Sequence, residues 1–151
     1  MSRISTLAVV LTLMAASGTQ LHAQRNAAVT DSARLQGTWT MISGSASGMV
    51  MPANMVAGMK RAAVGNQVTI TMHDHPYFSA TFTLNPAATP KAIDYQMTGG
   101  PTTGFRQLGI YEIRGDTVQF SFGAPNAARP VTFASVTGDE LTVSRWVRVK
   151  P

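Results

Sequence analysis

Short runs in which apolar and polar residues alternate fill most of this 151-residue chain and constrain its fold more than any other feature. The stretch 90–122 holds three such runs, which predict strands at 92–98, 107–113 and 117–122. A glycine-rich segment links the first two, and Arg114-Gly115-Asp116 forms a tight turn between the last two. Alternation of this kind is typical of antiparallel sheet.

The same pattern continues on both sides of this stretch. It predicts further strands at 35–42, 67–72, 78–84, 131–133 and 141–148. The one longer connection, after the first strand, contains Pro52 followed by Met55 and Met59 one turn apart, which predicts a short helix at 52–61. Eight short, mostly sequence-adjacent strands predict an all-β, eight-stranded antiparallel up-and-down barrel with one short helix between strands 1 and 2. A two-sheet sandwich is the alternative.

The amino-terminal segment predicts export. Arg3, the apolar run 7–16 and the small residue Ala23 have the order of a signal peptide, assigned to residues 1–23. The apolar run is shorter than the roughly 20 residues of a membrane span, so we expect no stable membrane insertion after cleavage and a periplasmic or extracellular location. Residues 24–34 are a polar, flexible leader, and 35–150 form the barrel domain.

Composition narrows the classes of function. The chain has no cysteine, so it has no disulfide, thiolate ligand or thiol nucleophile. Its formal charge is +5, but the basic residues are spread along the chain rather than clustered. We therefore expect these charges to form a solvated surface and, because the protein is predicted to be exported, we expect no nucleic-acid partner. We also expect a monomer.

Two positions suggest how one end of the barrel closes. Gly37-Thr38-Trp39 on the first strand and Arg145, alternatively Arg148, on the last resemble the pair with which lipocalins close a barrel, the arginine lying across the indole. More specifically, the chain resembles a lipocalin-like domain family of unknown function, first described from planctomycetes and common in exported bacterial proteins. The segments that carry this resemblance are 35–39, 90–95, 109–112, 115–117 and 129–133.

The resemblance implies a lipocalin-like barrel and brings no activity with it. By analogy with lipocalins, we expect a secreted protein that binds a small apolar molecule or acts as an interaction module. The helix at 52–61 would be a lid. The residues expected to line the cavity are Val68, Ile70, Phe78, Phe82, Tyr95, Tyr111, Phe120 and Phe133.

Catalysis is a competing hypothesis. Asp94 and Glu112 are candidates for a pair of acid/base carboxylates. The sequence shows no nucleophile elbow, however, and a network that ties loops to the barrel, with Asp94 or Asp116 bound to Arg129, explains the charges better. We therefore assign no catalytic residue and no cofactor, and favour a protein that is not an enzyme.

An envelope copper or zinc binder is the other alternative. His73-Asp74-His75 offers two imidazoles and a carboxylate, and Met49, Met51, Met55 and Met59 offer thioethers, which suit Cu(I). The favoured interpretations are a solvated hairpin tip for the histidines and a flexible lid for the methionines, so no metal ligand is assigned. The Arg-Gly-Asp tripeptide is interpreted as a turn rather than an adhesion motif.

Overall fold

The computed structural model describes the backbone of residues 8–151 and the side chains of residues 18–151. Two helices and nine strands occur in this part of the chain. In order they are α1 (Ala8–Arg34), β1 (Gly37–Ala46), β2 (Met49–Val50), α2 (Ala53–Gly58), β3 (Met59–Val64), β4 (Gln67–Met72), β5 (His75–Asn85), β6 (Ala92–Gly99), β7 (Arg106–Arg114), β8 (Thr117–Phe122) and β9 (Thr142–Arg148).

The strands form a closed antiparallel barrel. From β3 to β9 each strand pairs with its neighbour along the chain, and β1 pairs with both β3 and β9. The two-residue β2 extends the end of β1, so eight strands make the wall. The predicted eight-stranded barrel with a short helix between its first two wall strands is confirmed.

The hairpins predicted from the sequence also agree with the structure. The strands predicted at 67–72 and 117–122 coincide with β4 and β8. Gly115 and Asp116 form the two-residue turn between β7 and β8. His73 and Asp74 form the turn between β4 and β5, and both have positive φ (50° and 65°), as a two-residue hairpin turn of this hand requires.

The prediction of a strand at 131–133 is wrong. Residues 123–141 form a long loop in which Val131 is exposed. Because β8 pairs directly with β9, this loop finds no free sheet edge to join. The remaining wall strand is instead β3, part of which was predicted as the end of a helix.

The helix α2 is shorter than predicted because it ends at Gly58. The His73 amide donates to the Gly58 carbonyl oxygen at 2.8 Å. A methyl group on Gly58 would lie 2.6 Å from His73 Nε2, so only glycine lets the imidazole approach the backbone this closely. Met59 then takes an extended conformation and begins β3.

One end of the barrel is a packed floor centred on Trp39. This indole is fully buried, and its Nε1 donates to the Leu35 carbonyl oxygen at 3.1 Å. The Arg148 guanidinium carbon lies 4.2 Å from the centre of the Trp39 ring. The choice of Arg145 for this contact is therefore wrong and the alternative, Arg148, is correct. Arg145 is exposed, because alternation along β9 turns it to the outer face.

The last turn of α1 packs against this floor. Asp31 is buried, and its Oδ2 accepts hydrogen bonds from Lys91 Nζ at 2.7 Å and from the Tyr111 hydroxyl at 2.8 Å. In place of the loose leader predicted at 24–34, the structure has these residues in helix. Burial and the Asp31 carboxylate both raise the pKa of Tyr111, so its phenol keeps the proton that it donates.

Residues 1–7 of the predicted signal peptide lie outside the described residues, and the rest of it falls within α1. Over the part of the chain that the structure describes, no helix is both long enough and apolar enough to cross a membrane.

Candidate binding cavity

A cavity of about 430 Å³ occupies the barrel end opposite the packed floor. Its wall is mainly thioether and aromatic, which makes it apolar over most of its surface. Among the lining residues are Met41, Met51, Met55, Met59, Met97, Ile70, Tyr77, Phe78, Tyr95, Phe120, Phe122 and Trp146. Met51 and Met55, on either side of the start of α2, are half-buried at the mouth.

Methionines pack closely against β1 at this mouth. A methyl group on Gly44 would lie 2.5 Å from Met51 Sδ and 3.2 Å from Met41 Sδ, so both sulfur atoms lie against the strand backbone there. Flexible thioether side chains of this kind adapt to irregular apolar shapes. Met49, counted with them in the sequence, is instead exposed on β2.

Aromatic rings form the opposite side of the cavity. The Tyr95 and Phe122 ring centres are 4.3 Å apart, and the Phe120 and Phe122 centres are 5.9 Å apart. The Phe122 ring packs closely against β7 at Gly109, where a methyl group would lie 2.5 Å from its Cδ1 atom. The glycine therefore makes room for an aromatic ring within the barrel.

The eight residues predicted to line the cavity fall into three groups. Ile70, Phe78, Tyr95 and Phe120 line it. Val68, Phe82 and Tyr111 are buried in the core and do not line the cavity. Phe133 lies in the 123–141 loop, which is not part of the barrel wall, so its assignment to the cavity was wrong.

Arg61 is a charged residue among the cavity residues that were not predicted from the sequence. Arg61 lies on the inner face of β3, is 1% exposed, and contributes to the cavity lining. Its Nη1 donates to the Leu35 carbonyl oxygen at 3.1 Å, the acceptor that Trp39 also uses. Its guanidinium carbon lies 5.2 Å from the centre of the Phe120 ring. A charged side chain thus lies inside a mainly apolar cavity.

The charges on the outer wall hold a loop in place. Asp94 contacts Arg129 at 2.7 Å and Arg106 at 2.5 Å. Arg129 Nη1 also donates to the Gly109 carbonyl oxygen at 2.8 Å. Together these contacts attach the 123–141 loop to β6 and β7, and the Asp94–Arg129 pair is the one that the sequence suggested. Asp116 instead contacts Lys150 at 3.4 Å and Arg148 at 3.9 Å.

The Asp94 network predicts a specific acid sensitivity. Partial burial raises the pKa of Asp94, but Arg129 and Arg106 outweigh it and hold the pKa below its ordinary value of 3.8. Because the folded-state pKa is depressed, the network stabilises the fold above pH 3.8 and loses that contribution as the pH falls through the folded-state value.

Asp94→Asn should therefore lower stability at neutral pH and flatten its dependence on pH below about pH 4. Urea denaturation at several pH values measures both effects. Glu112→Gln is the matched control, since Glu112 makes an exposed pair with Arg114 and surface pairs contribute little. Equal acid sensitivity in the wild type and Asp94→Asn would contradict the prediction.

The geometry does not bring the two candidate catalytic carboxylates together. Asp94 is opposite Leu108 on β7, and Glu112 is four residues further along that strand. Four residues of strand span about 13 Å, which is too far for two carboxylates that share one substrate bond. Each carboxylate is instead paired with an arginine.

The histidine pair has the features of a hairpin tip. His73 and His75 are both exposed, and Asp74 between them pairs with Lys60 at 2.6 Å. Among the side chains that the structure describes, no group of three or more histidine, aspartate or glutamate residues is placed to hold a metal ion.

No family model, curated protein or solved structure matches this chain.

Proposed function

We propose that this protein binds a small, mainly apolar molecule inside its barrel. The observation that carries the proposal is the cavity of about 430 Å³ with its thioether and aromatic wall. Pockets for small organic ligands have volumes of about 300–1,000 Å³ and predominantly apolar linings. Because Trp39 and its neighbours fill the opposite end, the ligand would enter at the α2 end.

The mouth has the properties of an adaptable cover. The helix α2 has six residues, and no side chain caps its first turn. Helices this short have little stability of their own, so α2 depends on its contacts with β1 and β4. Together with the methionines beside it, α2 can move aside at small cost to the barrel, which supports the predicted role as a lid.

The predicted signal peptide and the lipocalin-like resemblance support binding outside the cytoplasm. Residues 1–23 have the order of charged, apolar and small residues that export requires. We therefore propose that a monomeric, exported form collects its ligand in the periplasm or outside the cell.

A neutral fluorescent probe tests the function directly. We expect N-phenyl-1-naphthylamine to bind the wild-type protein at one saturable site with enhanced fluorescence. Ile70→Phe adds volume inside the cavity and should weaken probe binding at least about tenfold, because overpacking a site of this size removes room for the ligand. Thr69→Phe places the same ring on the outer face of the same strand and should leave binding unchanged.

Two results would overturn the proposal. One is the absence of a saturable site in the wild type. The other is equal binding by Ile70→Phe and the wild type, which would put the probe outside the barrel. An interaction module with no small ligand would give the first result.

A further inference from the structure

Arg61 is a charged residue at a fully buried position inside the barrel. It faces the barrel interior, between Trp39 on β1 and Ile70 on β4 in the sheet register. Charged side chains are almost never fully buried unless they are paired. No carboxylate of the described residues lies within 4.0 Å of the Arg61 guanidinium nitrogens.

The guanidinium is anchored at one nitrogen and unpaired at the other two. Nη1 donates to the Leu35 carbonyl oxygen, which fixes the plane of the group. Nε and Nη2 are buried, and neither meets a hydrogen-bond acceptor among the described residues. The Phe120 ring beside the guanidinium offers a π face and no acceptor for these N–H groups. Two nitrogens of a buried cation therefore carry N–H groups that remain to be satisfied.

These two nitrogens form one edge of the planar fork. Nε–H and one N–H of Nη2 run side by side along that edge, at the spacing that matches the two oxygens of a carboxylate. A carboxylate bound there would accept one N–H from each of these nitrogens and neutralise the buried charge in one step. An alcohol would satisfy the donors in part and leave the charge, whereas an ammonium group would be repelled.

We propose that Arg61 binds the head group of the ligand, and that this ligand is an apolar monocarboxylate. The inference rests on the cavity-binding function proposed above and adds its chemical class. The acid head would lie deep in the barrel against Arg61, and the apolar part would lie among the methionines and aromatic rings toward the mouth. A single free edge and a single charge favour a carboxylate over a doubly charged phosphate.

Ligands matched in their chain test the inference in the wild-type protein. Decanoate, 1-decanol, decylamine and decyl phosphate each compete with bound N-phenyl-1-naphthylamine at neutral pH. We expect decanoate to displace the probe at about 10- to 100-fold lower concentration than 1-decanol, the range for hydrogen bonds to a charged group. Decylamine should be the weakest competitor, and decyl phosphate should not exceed decanoate.

Two variants locate the effect. Arg61→Met keeps an unbranched apolar stem, removes the guanidinium, and should remove the preference for decanoate while 1-decanol still binds. Lys60→Met makes the same change of charge on the adjacent, outward-facing residue and should keep the full preference. Arg61→Lys keeps the charge but loses the two-pronged edge, so it should fall between the wild type and Arg61→Met.

The outcomes separate this inference from the function on which it rests. Equal competition by decanoate and 1-decanol in the wild type overturns the role of Arg61 and leaves cavity binding intact. Tighter binding of decyl phosphate overturns the carboxylate assignment. Failure of the probe to bind the wild type overturns both proposals. If Arg61→Met does not fold, the wild-type ligand series and Arg61→Lys still decide the question.

Discussion

Replacement of Trp39 with alanine is expected to lower the free energy of unfolding by about 3–5 kcal/mol, the range for removing a large aromatic side chain from a core. The indole is 0% exposed, so the change leaves a cavity in the packed floor of the barrel. It also removes the hydrogen bond to the Leu35 carbonyl oxygen and the contact with Arg148. Urea denaturation followed by far-ultraviolet circular dichroism measures the loss.

A matched pair of arginine variants checks the same floor. Arg148→Met removes the cation from the Trp39 ring and should cost about 1–2 kcal/mol. Arg145→Met makes the same change on the outer face of the same strand and should stay within about 0.5 kcal/mol of the wild type. Equal losses in the two variants, or a loss below about 1 kcal/mol in Trp39→Ala, would contradict this account of the floor.

The arginine that contacts Trp39 could have been predicted from the sequence. Alternation along the last strand puts Trp146 and Arg148 on one face and Arg145 on the other. Trp146 indicates the inner face of this strand better than either arginine does. In the β1–β9 register, Trp39 does lie opposite Arg148. The alternation of residues along the last strand therefore identifies Arg148 as the arginine on the inner face. The prediction of Arg145 followed a family pattern and did not apply this alternation.

The position of strand β3 could not be predicted from the alternation of apolar and polar residues. Its inward side chains are Met59, Arg61 and Ala63, so a charge interrupts the apolar face that signals a strand. The preceding Pro52 and the spacing of Met55 and Met59 favour a helix, and only Gly58 marks where that helix ends. Arg61 was not predicted to line the cavity for the same reason, because a charged residue is expected on the outer face of the barrel.

The opposite error occurred at 131–133. Three alternating residues satisfy the pattern of a strand, but a strand also needs an edge to pair with. The direct pairing of β8 with β9 closes the barrel without this segment. The local sequence carries no information on whether the edge of a distant strand is already paired. The strands at 67–72 and 117–122 were predicted correctly because tight turns join them to neighbouring strands.

A second large effect is expected at the junction of α1 with the barrel. Asp31→Ala should lower the free energy of unfolding by about 2–4 kcal/mol, because it leaves a buried phenol and a half-buried ammonium without their acceptor. The contacts join residues 60 and 80 positions apart, so they hold the end of α1 against β7 and the start of β6. Cleavage after Ala23, as predicted, would leave Asp31 in the mature chain.

Two controls make the Asp31 result specific. Asp31→Asn keeps the shape and one acceptor oxygen and should cost less than the alanine variant, since the amide can still accept from Tyr111. Asp116→Ala removes a carboxylate whose pairs with Lys150 and Arg148 are half-exposed, so its cost should be about 1 kcal/mol or less. If Asp31→Ala were as stable as Asp116→Ala, residues 24–34 would be a dispensable leader. A clear difference instead makes the last turn of α1 part of the folded domain, closing the barrel end opposite the cavity.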